Sequence, residues 1–286
     1  MKNMKKKTKR NLAITGLSIV LFSLYALSQN NILSVSRYSA KSDLLPSQLD
    51  GFTVAQISDF HNIQSPLVHK DILKALSGTR PDIIVITGDF LDSRRTDPDC
   101  SLDFAEKLLN IAPVYMIPGN HEARLKEIYT DFEEKLSSMG VRVLRNQCES
   151  LERGNAKINL IGIDEPTFTS TEKGKEMAFC KNLDSIGYDK SLYTIALSHR
   201  PELFSLYSEK ELDLVLSGHA HGGQFRLPFG GGVFAPSQGL FPELTEGVHT
   251  EDKTTMVVSR GIGNSLFPFR LNNRPELVFI TLSTTK

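Results

Sequence analysis

The chain has 286 residues, 40% hydrophobic and 23% charged, which fits one large globular domain or two small ones and excludes a disordered chain. Formal net charge is zero, with 33 basic and 33 acidic residues, but Lys2, Lys5, Lys6, Lys7, Lys9 and Arg10 stand together and no acid precedes Asp43. Without those six, 27 basic residues face 33 acids, and so acidic a body argues against nucleic acid as the main partner, because phosphate backbones need a basic face. Small phosphorylated substrates stay admissible.

After the basic cluster, "NLAITGLSIVLFSLYALSQ" (residues 11–29) carries no charge. Its apolar core is a little short for an ideal membrane span, so residues 1–29 are predicted to be a signal anchor or a cleavable signal peptide. "ALS" at 26–28 has the small residues a signal peptidase needs, and "TKRNLA" partly echoes a twin-arginine export signal, with Lys9 in place of the first arginine. A buried amphipathic helix is a poor alternative without a polar face. With the positive cluster kept in the cytoplasm, the remainder is expected outside the cell membrane, either anchored there or released to the wall or medium after cleavage.

From Gly51 onward short apolar runs alternate with helical patterns. "FTVAQIS" reads as a strand and "SPLVHKDILKALSG" as a helix capped by Ser65, started by Pro66 and ended by Gly78. "PDIIVITGD" is a buried strand, followed by a helix over 102–109, a strand in "VYMIPGN" and a helix over 122–138 ended by Gly140. "VRVLRN", "KINLIGID", "SLYTIALSH" and "LDLVLSGH" read as strands, with helices over 175–183 and in "PELFSLYS". The tail from about Thr254 has two strands, "TTMVVSRG" and "PELVFITLS", without a helix, and is expected to close a second sheet. The alternation predicts one α/β layered domain over 45–286. Cys100, Cys148 and Cys180 have no metal-ligand spacing and read as packing residues.

Chemistry gathers at the ends of the strands. "ISDFHN" supplies Asp59 and His61, "ITGDFLD" supplies Asp89 and Asp92, and "IPGNHE" supplies Asn120 and His121. "LSHRPE" adds His199, and "SGHAHGGQ" adds His219 and His221. An ordinary core does not bury so many ionisable groups without partners. Residues two apart can face one crevice, and carboxylate, imidazole and amide oxygen without thiolate suit Mn, Fe or Zn. Two such ions about 3.5 to 4 Å apart would serve in-line phosphoryl hydrolysis and would need a shared carboxylate, for which Asp89 beside Gly88 is the candidate. Gly222 and Gly223 would let the backbone turn sharply past the metals.

These blocks, "DFH", "GDFLD", "GNHE", "SHRPE" and "GHAHGGQ", occur in the order found in the calcineurin-like metallophosphoesterases, and the chain resembles that family from Asp59 to Gln224. The tail "SRGIGNSLFPFRLNNRPELVFITL" resembles its small membrane-associated or exported bacterial branch. The resemblance implies a four-layer αββα sandwich of two mixed β-sheets, with a dinuclear metal site at the strand carboxyl ends. It implies that Asp59, His61 and His221 hold one metal and Asn120, His199 and His219 the other, with Asp89 between them. His121 would stand over the site and protonate or stabilise the leaving oxygen, oriented by Asp92, and the nucleophile would be a metal-bridging hydroxide.

The expected function is therefore metal-dependent hydrolysis of phosphodiester or pyrophosphate bonds in small-molecule, lipid or cell-envelope substrates. The alternatives are a phosphomonoesterase or protein phosphatase and a catalytically silent metal-binding envelope module. Arg200 and Arg260 are candidates for clamping a phosphate. His69 and His249 read as solvated, Arg94 and Arg95 as an exposed pair, and Phe267 and Phe269 as packing under the second sheet, with contact to lipid the alternative use.

Overall fold

The computed structural model describes residues 2–228, 230–264 and 267–285, with side chains from Arg10 onward. The lysines of the basic cluster ahead of Arg10 lie outside the described side chains. In chain order the elements begin with α1 (Lys2–Asn31), β1 (Ser34–Ser42), β2 (Thr53–Ile57), α2 (Pro66–Thr79), β3 (Ile83–Thr87), α3 (Pro98–Leu109) and β4 (Val114–Ile117). Then come α4 (Asn120–Leu125), α5 (Glu127–Met139), β5 (Arg142–Val143), β6 (Gln147–Arg153), β7 (Ala156–Gly162), α6 (Lys175–Asp184) and β8 (Thr194–Leu197). The chain finishes with α7 (Phe204–Glu209), β9 (Leu214–Ser217), β10 (Phe234–Ala235), β11 (Gly239–Leu240), β12 (Gly247–Glu251), β13 (Thr254–Val258) and β14 (Glu276–Thr284).

The strands make two mixed six-stranded sheets, ordered β1-β14-β2-β3-β4-β5 and β12-β13-β9-β8-β7-β6, plus a small β10-β11 hairpin. Runs such as "IIVIT" in β3 are buried throughout because each face meets a different layer. Val54, Val85, Ile117, Leu197, Leu216 and Val257 meet between the sheets. Ile84 and Ile86 pack outward against Ile72, Phe104 and Phe132 of α2, α3 and α5. On the other side Ala196, Val215 and Met256 pack against Phe179 of α6 and Tyr207 of α7. The layers are thus helix, sheet, sheet, helix, the αββα sandwich.

Several expectations need correction. The first sheet begins ahead of residue 45, because β1 runs parallel to β14 from Ser34↔Glu276 to Ser42↔Thr284. The tail does not close a second sheet by itself. Instead β13 lies beside β9 in one sheet and β14 crosses to the other, between β1 and β2. The helix foreseen over 122–138 is two, broken at Lys126 (φ 46°, ψ −107°). Ser65 caps α2 as foreseen, but the helix ends on Arg80 in the left-handed region instead of at Gly78. Cys100, Cys148 and Cys180 are free thiols.

Helix α1 stands off the body. Its stretch Arg10–Asn31 is 22 residues, long and apolar enough to cross a membrane, and no residue of its most apolar window is buried. Its carboxyl-terminal part is tied down: the Tyr25 hydroxyl bonds the Asn272 side chain, Asn30 Oδ1 accepts from Asn264 Nδ2 at 3.0 Å and from the Arg270 N–H at 3.1 Å, and Ser65 Oγ donates to Asn31 Oδ1 at 3.0 Å.

Candidate metal and phosphate site

Strands β2, β3, β4, β8 and β9 deliver their carboxyl ends to one edge of the sandwich. Gln56 fastens the two sheets just beneath it, donating to Thr87 Oγ1 at 3.1 Å and to the Ser217 carbonyl at 2.9 Å. Beyond the strands the backbone turns abruptly: Asp59, His61, Asp89, His219 and His221 all have φ between 49° and 65°. A left-handed conformation costs a non-glycine residue energy, and its concentration here marks a built site. Two glycines make the turns fit. A Cβ on Gly88 (φ 90°) would stand 2.5 Å from His199 Nδ1, and one on Gly218 would stand 1.8 Å from Ser58 Oγ.

The seven foreseen ligand residues converge. Asp59, His61, Asp89 and His221 offer ligand atoms within 4.8 Å of one another, and so do Asp89, His199 and His219. Asp89 belongs to both groups, as a carboxylate shared between two cations must. Its Oδ2 lies 3.3 Å from His199 Nε2 and 3.8 Å from His61 Nε2, while His221 Nε2 lies 3.2 Å from Asp59 Oδ1. Asn120 joins the second group, its amide end 3.2 Å from His199 Nε2 and 2.7 Å from His219 Nδ1. With its oxygen inward the Asn120 amide is a ligand for a cation; turned over, it would donate to both ring nitrogens and accept from Arg124.

Other features fit cations equally well. His61 Nε2 faces His221 Nε2 at 3.1 Å, and burial holds both rings neutral, pulling His61 down to about 3 and His221 well below its ordinary value. Two neutral rings can share at most one proton across that gap. His61 Nδ1 and His219 Nε2 are buried with no hydrogen-bond partner among the described residues. Burial also lifts Asp59 to about 6, with Asp89 adding to the rise. Neighbouring backbone completes the cradle: His199 Nδ1 donates to the Thr87 carbonyl at 2.8 Å, which leaves Nε2 free to ligate, and the His219 N–H donates to Asp59 at 3.1 Å. The residues present suit a pair of metal cations.

His121 stands at the mouth, its Nε2 4.0 Å from Asp89 Oδ2. Its Nδ1 accepts from the Ser93 N–H at 2.9 Å, with Asp92 Oδ1 at 3.5 Å. Asp92 also accepts from the Arg94 N–H at 2.9 Å and the Arg95 guanidinium at 3.0 Å. Sequence reasoning missed Ser93, and it missed Glu122, whose buried carboxylate accepts from the N–H groups of Asp89, Leu91 and Gly119 at 3.0, 2.7 and 2.7 Å. Glu122 thereby ties the bridging-aspartate turn to the Asn120 turn. The fourth residue of "GNHE" was the signal for it, since a glutamate at the third helical position reaches back to cap N–H groups.

Arg200 and Arg260 are not brought to the cleft. Arg200 is buried and paired with Glu165 at 2.6 Å, Glu172 at 2.7 Å and Glu202 at 3.3 Å, so its charge is already answered. Arg260 is held by Glu276 at 3.0 Å and Ser34 Oγ at 2.9 Å. The arginines that line the cleft of about 180 Å³ are Arg94 and Arg124, with Gln224, Phe234 and Pro236 forming the remaining wall. Helical spacing could have shown Arg124, because positions four and three before it on α4 are Asn120 and His121. Arg270 was also missed. It is buried, donates to the carbonyls of Arg260 at 2.9 Å and Gly263 at 2.5 Å, and brings Nη2 to 3.4 Å from His221 Nδ1. His69 is not solvated but stacks on Phe60 at 5.3 Å, and Phe267 and Phe269 pack on Phe225 at 4.9 and 5.4 Å instead of under a sheet.

Known proteins are similar to this chain. The family model for calcineurin-like phosphoesterases matches residues 52–223, more than half of the chain. The chain is 27% identical over 260 residues to the metallophosphoesterase YkuE of Bacillus subtilis, covering 89% of this chain and 87% of that protein. It is 29% identical over 213 residues to the phosphodiesterase YaeI of Escherichia coli, covering 71% of each. A zebrafish transmembrane protein with a metallophosphoesterase domain is 30% identical over 252 residues, 83% of this chain and 54% of that protein. Among solved structures, TT1561 of Thermus thermophilus has the same fold, with a TM-score of 0.52 at 13% identity over 73% of this chain and 89% of that one. The chain belongs to the calcineurin-like phosphoesterase family and is a metal-dependent phosphohydrolase.

Proposed function

We propose that this enzyme hydrolyses phosphodiester or pyrophosphate bonds of lipid or cell-envelope molecules, with α1 anchoring it in the cell membrane and the catalytic body on the extracytoplasmic side. The observation that carries the hydrolytic reading is the position of Asp89 in two of the candidate ligand groups, with His121 beside them and in neither of those two. The phosphodiester preference draws support from the name of the Escherichia coli relative. The membrane placement draws support from the exposed apolar stretch of α1 and the basic cluster ahead of it.

Asp59, His61 and His221 would hold one cation and Asn120, His199 and His219 the other, with Asp89 shared. When bound, the pair supplies Lewis acidity that activates water and neutralises charge on the phosphoryl group. The protein's own groups do the rest. Arg94 and Arg124 line the cleft and hold phosphoryl oxygens as they acquire charge. In its acid form, which Asp89 and Asp92 favour, the His121 ring holds one proton on Nδ1, beside Asp92 Oδ1 and Ser93 Oγ, and one on Nε2, facing the cleft. The Nε2 proton goes to the leaving oxygen and the ring is left neutral. Phe234 and Pro236 close one wall and limit the water around that transfer.

The test is hydrolysis of an aryl phosphodiester and an aryl phosphomonoester by the purified protein, with and without a chelator. Chelator-sensitive turnover of the diester ahead of the monoester is the expected result. Preference for the monoester would replace the reading with a phosphatase. Turnover of neither by protein with two metals bound would favour a silent binding module.

A further inference from the structure

We propose that the apolar lip carried by Leu227, Leu240, Phe241 and Phe269 docks into the surface of the bilayer that α1 spans, so that the cleft opens at the depth of lipid headgroups. This rests on the reading of α1 as an anchor. The 22 residues of Arg10–Asn31 measure about 33 Å along a helix, which matches a hydrocarbon core of about 30 Å. The body does not stop at the lower end of that span. The Tyr25 hydroxyl bonds the Asn272 side chain, and Pro268 and Phe269 line an apolar groove of about 540 Å³ together with Phe22, Ala26 and Leu27. Phe22 is nine residues before Asn31, about 13 Å along the helix axis. With Asn31 at the membrane edge, Pro268 and Phe269 lie below the surface.

The other lip residues belong to the same unit. Phe225 packs on Phe269, its backbone bridges to Leu271, and its carbonyl accepts from the Val233 N–H at 2.8 Å. That bond leads directly into the β10-β11 hairpin, which carries Leu240 at its end and is followed by Phe241. The four lip side chains are 41–70% exposed, with Leu240 at 70% and Phe241 at 68%. Held in water, such a set is unfavourable; held in the headgroup and acyl boundary, it is what an interfacial surface needs. The hairpin also supplies Phe234 and places Pro236 on the cleft wall, so docking of the lip sets the depth of the cleft mouth. A phosphate reaching the cations would then come from a molecule resident in the bilayer.

The chain contains no tryptophan, so single substitutions report their own depth. The full-length protein is reconstituted into phosphatidylcholine vesicles with brominated or unbrominated acyl chains, and tryptophan emission is compared. Leu17→Trp reports the span, Phe269→Trp the lip, with Phe241→Trp as a second lip probe should the first fold poorly. Leu44→Trp lies beyond the far end of β1, about 26 Å from its start at the helix. Bromine quenching at 17 and at the lip, without quenching at 44, is the expected result. Quenching at 17 alone overturns the docking and leaves the anchor standing. No quenching at 17 removes the anchor and the docking with it, and equal quenching at 44 and the lip overturns the stated orientation.

Discussion

The backbone N–H of Ser93 donates to His121 Nδ1 at 2.9 Å, nearer than any oxygen of Asp92, whose Oδ1 stands 3.5 Å from the same nitrogen. His121 is thus oriented by main chain and kept out of the ligand groups that share Asp89. His121→Ala is expected to lower turnover by about 10²- to 10⁴-fold, the worth of a general acid, while metal content stays at the wild-type level. Asp89→Asn is expected to lose both. Parallel metal analysis and kinetics of the two variants check this, and equal loss of metal in both would remove His121 from its role.

Asp92 supports the charged His121 ring as a hydrogen-bond partner. Burial alone would lower the His121 pKa, but Asp89 and then Asp92 outweigh it and hold the value above the ordinary one. A raised value keeps the acid form available to higher pH, so activity falls on the alkaline side. Asp92→Asn should move that falling limb to lower pH and reduce turnover on the order of 10- to 100-fold, as loss of such supporting partners commonly does. A pH profile of kcat for both proteins provides the check, and an unmoved limb would place the proton on another group.

His199 carries a proton that the cations must displace. Burial opposes its charge, yet Asp89 and Asp59 lift it to about 10 in the metal-free protein. A pKa raised from 6.5 contributes stability that is complete below pH 6.5 and is lost as pH rises through about 10. Because an imidazolium cannot ligate, loading metal at pH 8 should release about one proton per chain from this ring. Titration calorimetry in buffers of different ionisation enthalpy measures the count. His199→Asn should lose that release, whereas wild-type protein that releases none would contradict the assignment.

Arg200 belongs to stability, not to substrate. Removing it by Arg200→Ala leaves the buried Glu165 carboxylate unanswered and should cost about 3–5 kcal/mol in thermal or denaturant unfolding, with KM unchanged in the folded fraction. Glu172, half-exposed, is held at about 2: burial pushes it up, while Ser237, Arg200 and Lys175 pull harder in the other direction. A depressed acid contributes stability present above its ordinary 4.5 and lost as pH falls through about 2. Glu172→Gln should therefore be less stable than wild type by under about 1 kcal/mol at neutral pH, with the gap closing toward pH 2.

The gathering of the seven proposed ligand residues at one edge was legible because parallel strands end together, so a block of such residues after each apolar run is already a spatial statement. β1 was not legible: "SVSRYSAKS" is an edge strand buried at few positions, and it lacks the apolar run that marked the inner strands. The crossing of β14 between sheets leaves no trace in an apolar segment that both sheets would accept. Arg200 was misread because its partner Glu165 is 35 residues away, and a charge pattern along the chain does not show which carboxylates answer it in space. Ser93 works through its backbone N–H, which every residue except proline possesses, so no side-chain pattern announces it.

The number of divalent cations bound by the catalytically active, full-length enzyme tests the central claim most directly. Elemental analysis should find two per chain, with turnover lost on chelation and restored when both are replaced. Full turnover with one cation or none would contradict a shared site built around Asp89.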